Sequence, residues 1–135
     1  VTTELPKAQF GFPGPLRDQL VDAILEGSKT ATSGLFAEYQ REGAPVPEPG
    51  ERQSLVDSHD RQVAIIEIID VGVKRLADVD LGHAMDEGEG YLSVQQWRAG
   101  HERFWRSPEM QAELGGDFVI DDDTLVVVER FRVVD

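Results

Sequence analysis

The chain carries 135 residues, 26 acidic against 13 basic, for a formal net charge of −13, and it has no cysteine. So acidic a surface argues against broad electrostatic capture of long nucleic acid or an anionic membrane, although a local positive pocket stays compatible with it. The missing cysteine excludes disulfides and thiolate metal sites. The length suits one domain over residues 1–135, and no apolar run is long enough to cross a bilayer. No charged-then-apolar leader pattern is present either, so a cytoplasmic domain is the expectation.

The first element follows Phe10–Phe12 and two prolines. "PLRDQLVDAILEG" sets Leu16, Leu20 and Ile24 four apart with Val21 and Leu25 beside them, the apolar stripe of a helix begun by Pro15 and ended by Gly27. Lys29 to Thr32 holds β-branched threonines and reads as a short strand. Arg41 to Glu51, with its prolines and glycines, reads as a loop. A hairpin comes next: Leu55 and Val56 lie in its first strand, "SHD" makes the turn, and Val63 to Val73 is a long apolar strand. "DVDLGHAMDEG" suggests a short helical turn. "SVQQWRAGHERFW" is a helix capped by Ser93, with Val94, Trp97, His101, Phe104 and Trp105 on one face. "DTLVVVERFRVV" closes the chain as a strand. Helices set between β segments indicate an α+β domain.

In this order the elements carry specific motifs. "ILEGSKTATS" holds G-x-K-x-x-T at Gly27, Lys29 and Thr32; "FGFPG" precedes the first helix and "PGE" the hairpin; "DEGEGYLSVQQWRAGHERFW" follows it; "VVVERFRVV" comes last. The set resembles the ASCH domains of the PUA-like superfamily over most of the chain. The resemblance implies a small PUA-like mixed β-barrel with helices flanking a ligand cleft, and an association with RNA or nucleotides. One small bacterial branch is an amidohydrolase acting on N(4)-acetylcytidine through a lysine, a threonine and a glutamate; other relatives have been assigned ribonuclease activity. Carried onto this chain, the catalytic set falls on Lys29, Thr32 and Glu87, with Glu89 close enough to compete for the carboxylate role. Thr32-Ser33-Gly34 stands where that branch has an arginine soon after the threonine. The chain is also longer and adds the tryptophan-rich helix; the missing arginine is the departure that bears on the branch's exact substrate.

The residue types suit amide hydrolysis, which needs a nucleophile, a base and a partner for the developing oxyanion. Lys29 would activate the Thr32 hydroxyl if burial lowered its pKa, or act as a charged electrophile with Glu87 as base. The plainer alternative makes Lys29 a solvated loop lysine and "DEGEG" a solvated acidic turn. Gly88 and Gly90 permit unusual backbone angles, which would let the turn aim a carboxylate at a pocket. Trp97 and His101 read either as core or as a wall that stacks on a base and hydrogen-bonds its edge; Phe104 and Trp105 are assigned to the core. Ser33, Glu89, Trp97 and His101 are the expected substrate contacts, and no metal or cofactor is expected. Neither Lys29 nor Glu87 is expected in the core, so replacing either should leave the fold intact. The expected ligand is a nucleoside or short single-stranded RNA, held or hydrolysed in the cleft. The competing reading is a non-catalytic interaction or regulatory domain whose acidic face docks on a protein partner.

Overall fold

The computed structural model describes residues 4–134. Strand β1 (Lys7–Ala8) leads to helix α1 (Pro15–Glu26), strand β2 (Ala31–Leu35) and helix α2 (Phe36–Glu42). The hairpin β3 (Arg52–Val56) and β4 (Gln62–Arg75) follows. Helices α3 (Leu81–Asp86), α4 (Val94–Trp105) and α5 (Pro108–Leu114) come before the last strand, β5 (Leu125–Val134). The five strands form one sheet in the order β1-β3-β4-β5-β2. Among the described residues only β1 and β3 run parallel, so the sheet is mixed, within the expected α+β class. It is an open sheet, with β1 and β2 at its edges.

Two apolar clusters flank it. Val21 and Ile24 of α1 pack with Phe10, Leu55, Ile66, Ile68 and Phe131. Trp97 and Trp105 of α4 pack with Leu35, Leu76, Met110, Leu114 and Val126. The α1 stripe is narrower than its spacing suggests: Leu16 and Leu25 are 42% and 48% exposed, and Arg17 is buried instead. The Arg17 guanidinium donates to the backbone oxygens of Asp57 and Gly11, tying the chain before α1 to the hairpin turn. A long side chain that finds backbone acceptors can take a core position that periodicity alone would give to leucine.

Two helices escape the sequence reading. α2 begins directly after β2 with Leu35 at its N-cap and no side-chain cap, so nothing local announces it. It also takes up Arg41 and Glu42, leaving 43–51 as the loop. α5 does carry signals: the Ser107 hydroxyl accepts from the Met110 N–H, Pro108 opens the first turn, and Gly115 ends the helix at φ 94°. The β2 strand starts later than expected, at Ala31, so Lys29 and Thr30 lie in the connection from α1.

Candidate functional site

The site is built where the α1–β2 connection crosses the turn after α3. The Thr30 N–H donates to the Asp86 carbonyl at 2.8 Å, drawing the two segments together. Gly88, at φ 69°, lets them touch: a Cβ there would sit 2.6 Å from the Ser28 carbonyl carbon and 2.9 Å from the Lys29 Cα. Only glycine fits, by backbone angle and by space. Asp80 caps α3 by accepting from the His83 N–H at 2.8 Å, which sets His83 and Glu87 one turn apart on a single face.

Glu87 is the centre. One carboxylate oxygen accepts from the Ser33 hydroxyl at 2.9 Å and from the Trp97 indole N–H at 2.6 Å, with His83 Nε2 at 3.1 Å. The other faces His101 Nε2 at 3.1 Å and Lys29 Nζ at 3.6 Å. Glu87 is 1% exposed and Lys29 2%. Both belong to the interior, against the expectation that neither would. A buried charge is tolerable only when paired and hydrogen-bonded, and here each is. Lys29 Nζ donates to the backbone oxygens of Ala31 at 2.9 Å and Glu87 at 3.2 Å, and lies 3.5 Å from Glu89 Oε2.

The partners of the two histidines set the hydrogen-bond roles of their ring nitrogens. His101 Nδ1 lies 2.9 Å from the Trp97 carbonyl and Nε2 faces the Glu87 carboxylate. Both partners only accept, so both nitrogens donate and the ring is an imidazolium. Burial works to lower the His101 pKa, but the Glu87 hydrogen bond and charge outweigh it and raise it above the ordinary histidine value. Glu87 is the mirror case. Burial pushes its carboxyl up, and the bonds from His101 and His83 with the charges of His101 and Lys29 hold it far below the usual carboxylate range. His83 Nε2 sits 2.7 Å from the Ser33 hydroxyl, whose proton goes to Glu87, and 3.1 Å from the Glu87 carboxylate, so its single N–H is shared between the two oxygens.

Glu89 differs from the rest. Its side chain is 22% exposed, and its pKa is raised by burial and by the Glu87 charge, with Lys29 opposing. Tyr91 closes the rim beside the His101 ring, with centroids 5.9 Å apart. His101 stacks on Trp97 at 4.4 Å. The ligand atoms of Glu87, Glu89 and His101 lie within 4.8 Å of one another, a spacing a cation would accept, and the Lys29 ammonium supplies positive charge at that point.

The structure therefore brings together Lys29, Ser33, Glu87, Glu89, Trp97 and His101. It leaves Thr32 outside. Side chains alternate along a strand, so Ser33 points to the Glu87 network and Thr32 to the opposite face, where it stands across from Glu129. His83 and Tyr91 were missed in sequence. The i, i+4 spacing of His83 and Glu87 was the available signal for the first. For the second, the cue lies in Gly100, whose bare Cα makes room for the Tyr91 hydroxyl. The Lys29–Glu87 cluster is closed rather than open. One nearby groove of about 280 Å³ runs along Ile24, Gly27, Lys29, Thr30, Phe131 and Val133.

A mixed five-stranded sheet flanked by helices has the PUA-like plan of ASCH domain structures. The ASCH domain family model matches residues 7–135, and the chain belongs to that family. It is similar to the ASCH domain from Lactobacillus crispatus JV V101 at 29% identity, over 97% of this chain and 80% of that one, with a TM-score of 0.82. A protein from Enterococcus faecalis V583 is 25% identical over all of this chain and 78% of its own, also with a TM-score of 0.82. A Zymomonas mobilis ASCH protein, 13% identical with a TM-score of 0.50, shares the fold alone. No curated protein matches the sequence. Among the described residues, no helix is long and apolar enough to cross a membrane.

Proposed function

We propose that this ASCH domain binds a single nucleobase or nucleoside at the rim formed by Ser33, Glu89, Tyr91 and His101, and hydrolyses an acyl group carried on it. The observation that carries this reading is the contrast between the two carboxylates. Glu87 is ionised, fully bonded and buried, so it is a poor proton acceptor and a good positioning group. Glu89 is partly exposed, its carboxyl is pushed up from the ordinary value by burial, and it stands beside an ammonium, a setting that suits proton transfer.

In this mechanism Glu89 takes a proton from water as it attacks the acyl carbon. Glu89 then returns the proton to the leaving amine. Lys29 and the His101 imidazolium supply positive charge close to the developing oxyanion. Lys29 already donates to the backbone oxygens of Ala31 and Glu87 and to Glu89 Oε2, with Glu87 Oε1 paired at 3.6 Å, so it holds the loops and the field rather than acting as a base. Thr32, on the other face, takes no part. The sequence-based set of Lys29, Thr32 and Glu87 is thus recast, with Glu89 as the proton-transfer group. Tyr91 and His101 supply flat faces of the kind that stack on a base. The acidic surface favours a nucleoside-sized ligand over long RNA.

The test is incubation with a panel of acylated nucleosides and short RNAs, followed by mass spectrometry. Loss of the acyl group by the native chain is expected. Glu89→Gln should lower turnover by about 10²-fold or more while melting like the native protein. Thr32→Val should keep its activity. Full turnover in Glu89→Gln, or turnover lost in Thr32→Val, would overturn the assignment.

A further inference from the structure

The segment between β1 and α1 runs past the Lys29–Glu87–His101 cluster, and the proposed chemistry gives it no task. Its two phenylalanines go to different places. The Phe10 ring is buried with Ile24, Leu55 and Phe131, and the Lys29 ammonium lies 5.9 Å from its centroid. The Phe12 ring packs instead on the Trp97 and Trp105 cluster, 5.8 Å from the Phe104 ring of α4. Gly11, at φ 67°, makes the turn that separates them. Two residues of chain span at most about 7 Å between Cα atoms. A strap tied to Lys29 by one ring and to α4 by the other therefore bridges the ground between them. Beside that ground stand Glu89, 3.5 Å from Lys29 Nζ, and His101, one turn before Phe104 on α4.

Arg17 holds the strap in this course. It is 4% exposed, and its guanidinium donates to the Gly11 carbonyl at 2.8 Å and to the Asp57 carbonyl at 3.3 Å. Its Nε has no partner among the described residues. A buried donor left unpaired is a cost that leucine or methionine would not carry at this position. What the arginine fork supplies in exchange is a grip on Gly11, between the two rings. The far end of the strap is fixed as well. The Gly14 N–H donates to the Ser58 hydroxyl at 2.9 Å, and that hydroxyl donates to Asp18 at 2.6 Å. Phe12, by contrast, is only half-buried, so part of its ring stays free at the surface.

Resting on the nucleoside reading above, we infer that residues 10–14 form the outer wall of that site, with the Phe12 ring stacking on the base and Arg17 positioning the ring. Tyr91 and His101 offer the base a face from one side. Phe12 brings a second aromatic face on a separate segment, packed against the same Trp97 cluster as Tyr91. Stacking selects a flat ring without reading its edge, so Phe12 gives affinity for a base of any identity. Reading the edge is left to the polar groups of the rim.

Calorimetric titration with the four unmodified ribonucleosides tests this without requiring turnover, alongside kinetics on the acylated nucleosides that the native chain hydrolyses. Phe12→Leu should weaken the best-bound nucleoside by about tenfold, the scale of one lost base–aromatic stack, and should raise KM more than it lowers kcat. Phe12→Tyr should bind like the native chain. Arg17→Met should weaken binding severalfold, and adding it to Phe12→Leu should cause no further loss, because Arg17 acts through that ring. Should Arg17→Met fold poorly in a thermal melt, the two Phe12 variants decide. Native affinity in Phe12→Leu, or an equal loss in Phe12→Tyr, would overturn the wall and leave the nucleoside reading standing. Additive losses in the double variant would remove Arg17 from its positioning role. A native chain that neither binds nor hydrolyses any nucleoside would end both.

Discussion

Glu87 is the residue on which most of the site depends. Its removal would strand Lys29 and the His101 imidazolium in the interior without their shared counter-charge. Glu87→Ala is therefore expected to cost about 3–5 kcal/mol, the range for breaking a buried pair from one side. Urea denaturation read by tryptophan fluorescence would check it, because Trp97 donates to the same carboxylate. Lys29→Met should be milder. It takes away the buried cation, leaves the Glu87 bonds from Ser33, Trp97 and His101 in place, and fills most of the lysine's volume. A loss larger than that of Glu87→Ala would show that Lys29, not Glu87, is the anchor.

Among the elements, the turn after α3 has the least tolerance. Gly88 sits in the left-handed region, with the backbone of Ser28 and Lys29 where a side chain would go. Gly88→Ala should push the two segments apart and release Glu89 and Tyr91 from the rim. Binding or turnover should fall much more than the melting temperature, as comparison of ligand titration with a thermal melt would show; equal losses in both would place the strain in the core. α5 gives a simpler case. Its Ser107 cap holds the Met110 N–H, so Ser107→Ala should cost about 1 kcal/mol in a urea titration, with Ser107→Gly close to native.

For the whole molecule, acidity governs stability. Burial pushes the Glu129 and Glu38 carboxyls up to about 7 in the folded chain, from an ordinary value of 4.5. Their raised folded pKa values mean that the native state binds more protons than the unfolded one between about pH 4.5 and 7, so stability falls as pH rises through that window. Glu129 alone accounts for at most about 3 kcal/mol of this loss, before any relaxation of its surroundings. His101 acts in the same direction, its stabilisation being full below its unfolded value and lost as pH rises through the raised folded one. Glu87 acts oppositely, its contribution being present above the ordinary carboxylate value and lost only in strong acid. The chain should therefore melt at a higher temperature at pH 5 than at pH 8. Glu129→Gln should flatten the slope, and thermal melts across that range would show it. A native chain equally stable at both pH values would contradict the raised carboxyls.

Local patterns in the sequence were enough for the hairpin, for α1 and α4, and for the Ser93 cap, because apolar period and capping chemistry act over a few residues. The G-x-K-x-x-T motif and "DEGEG" were also legible as two loops that belong together, through the family pattern that the match over residues 7–135 upholds. Three matters lay beyond local pattern. Burial of Lys29 and Glu87 depends on partners 58 residues apart in the chain, so no window around either residue could reveal it. Thr32 and Ser33 are adjacent and chemically alike, and only the pairing register of β2 with β5 decides which of them faces Glu87. The difference in depth between Glu87 and Glu89, on which the proposed role of Glu89 rests, is also set by packing. Two acids in one short turn look equivalent as sequence, but the packed helix α4 gives one of them an indole and an imidazolium and leaves the other at the surface, where it can still exchange a proton.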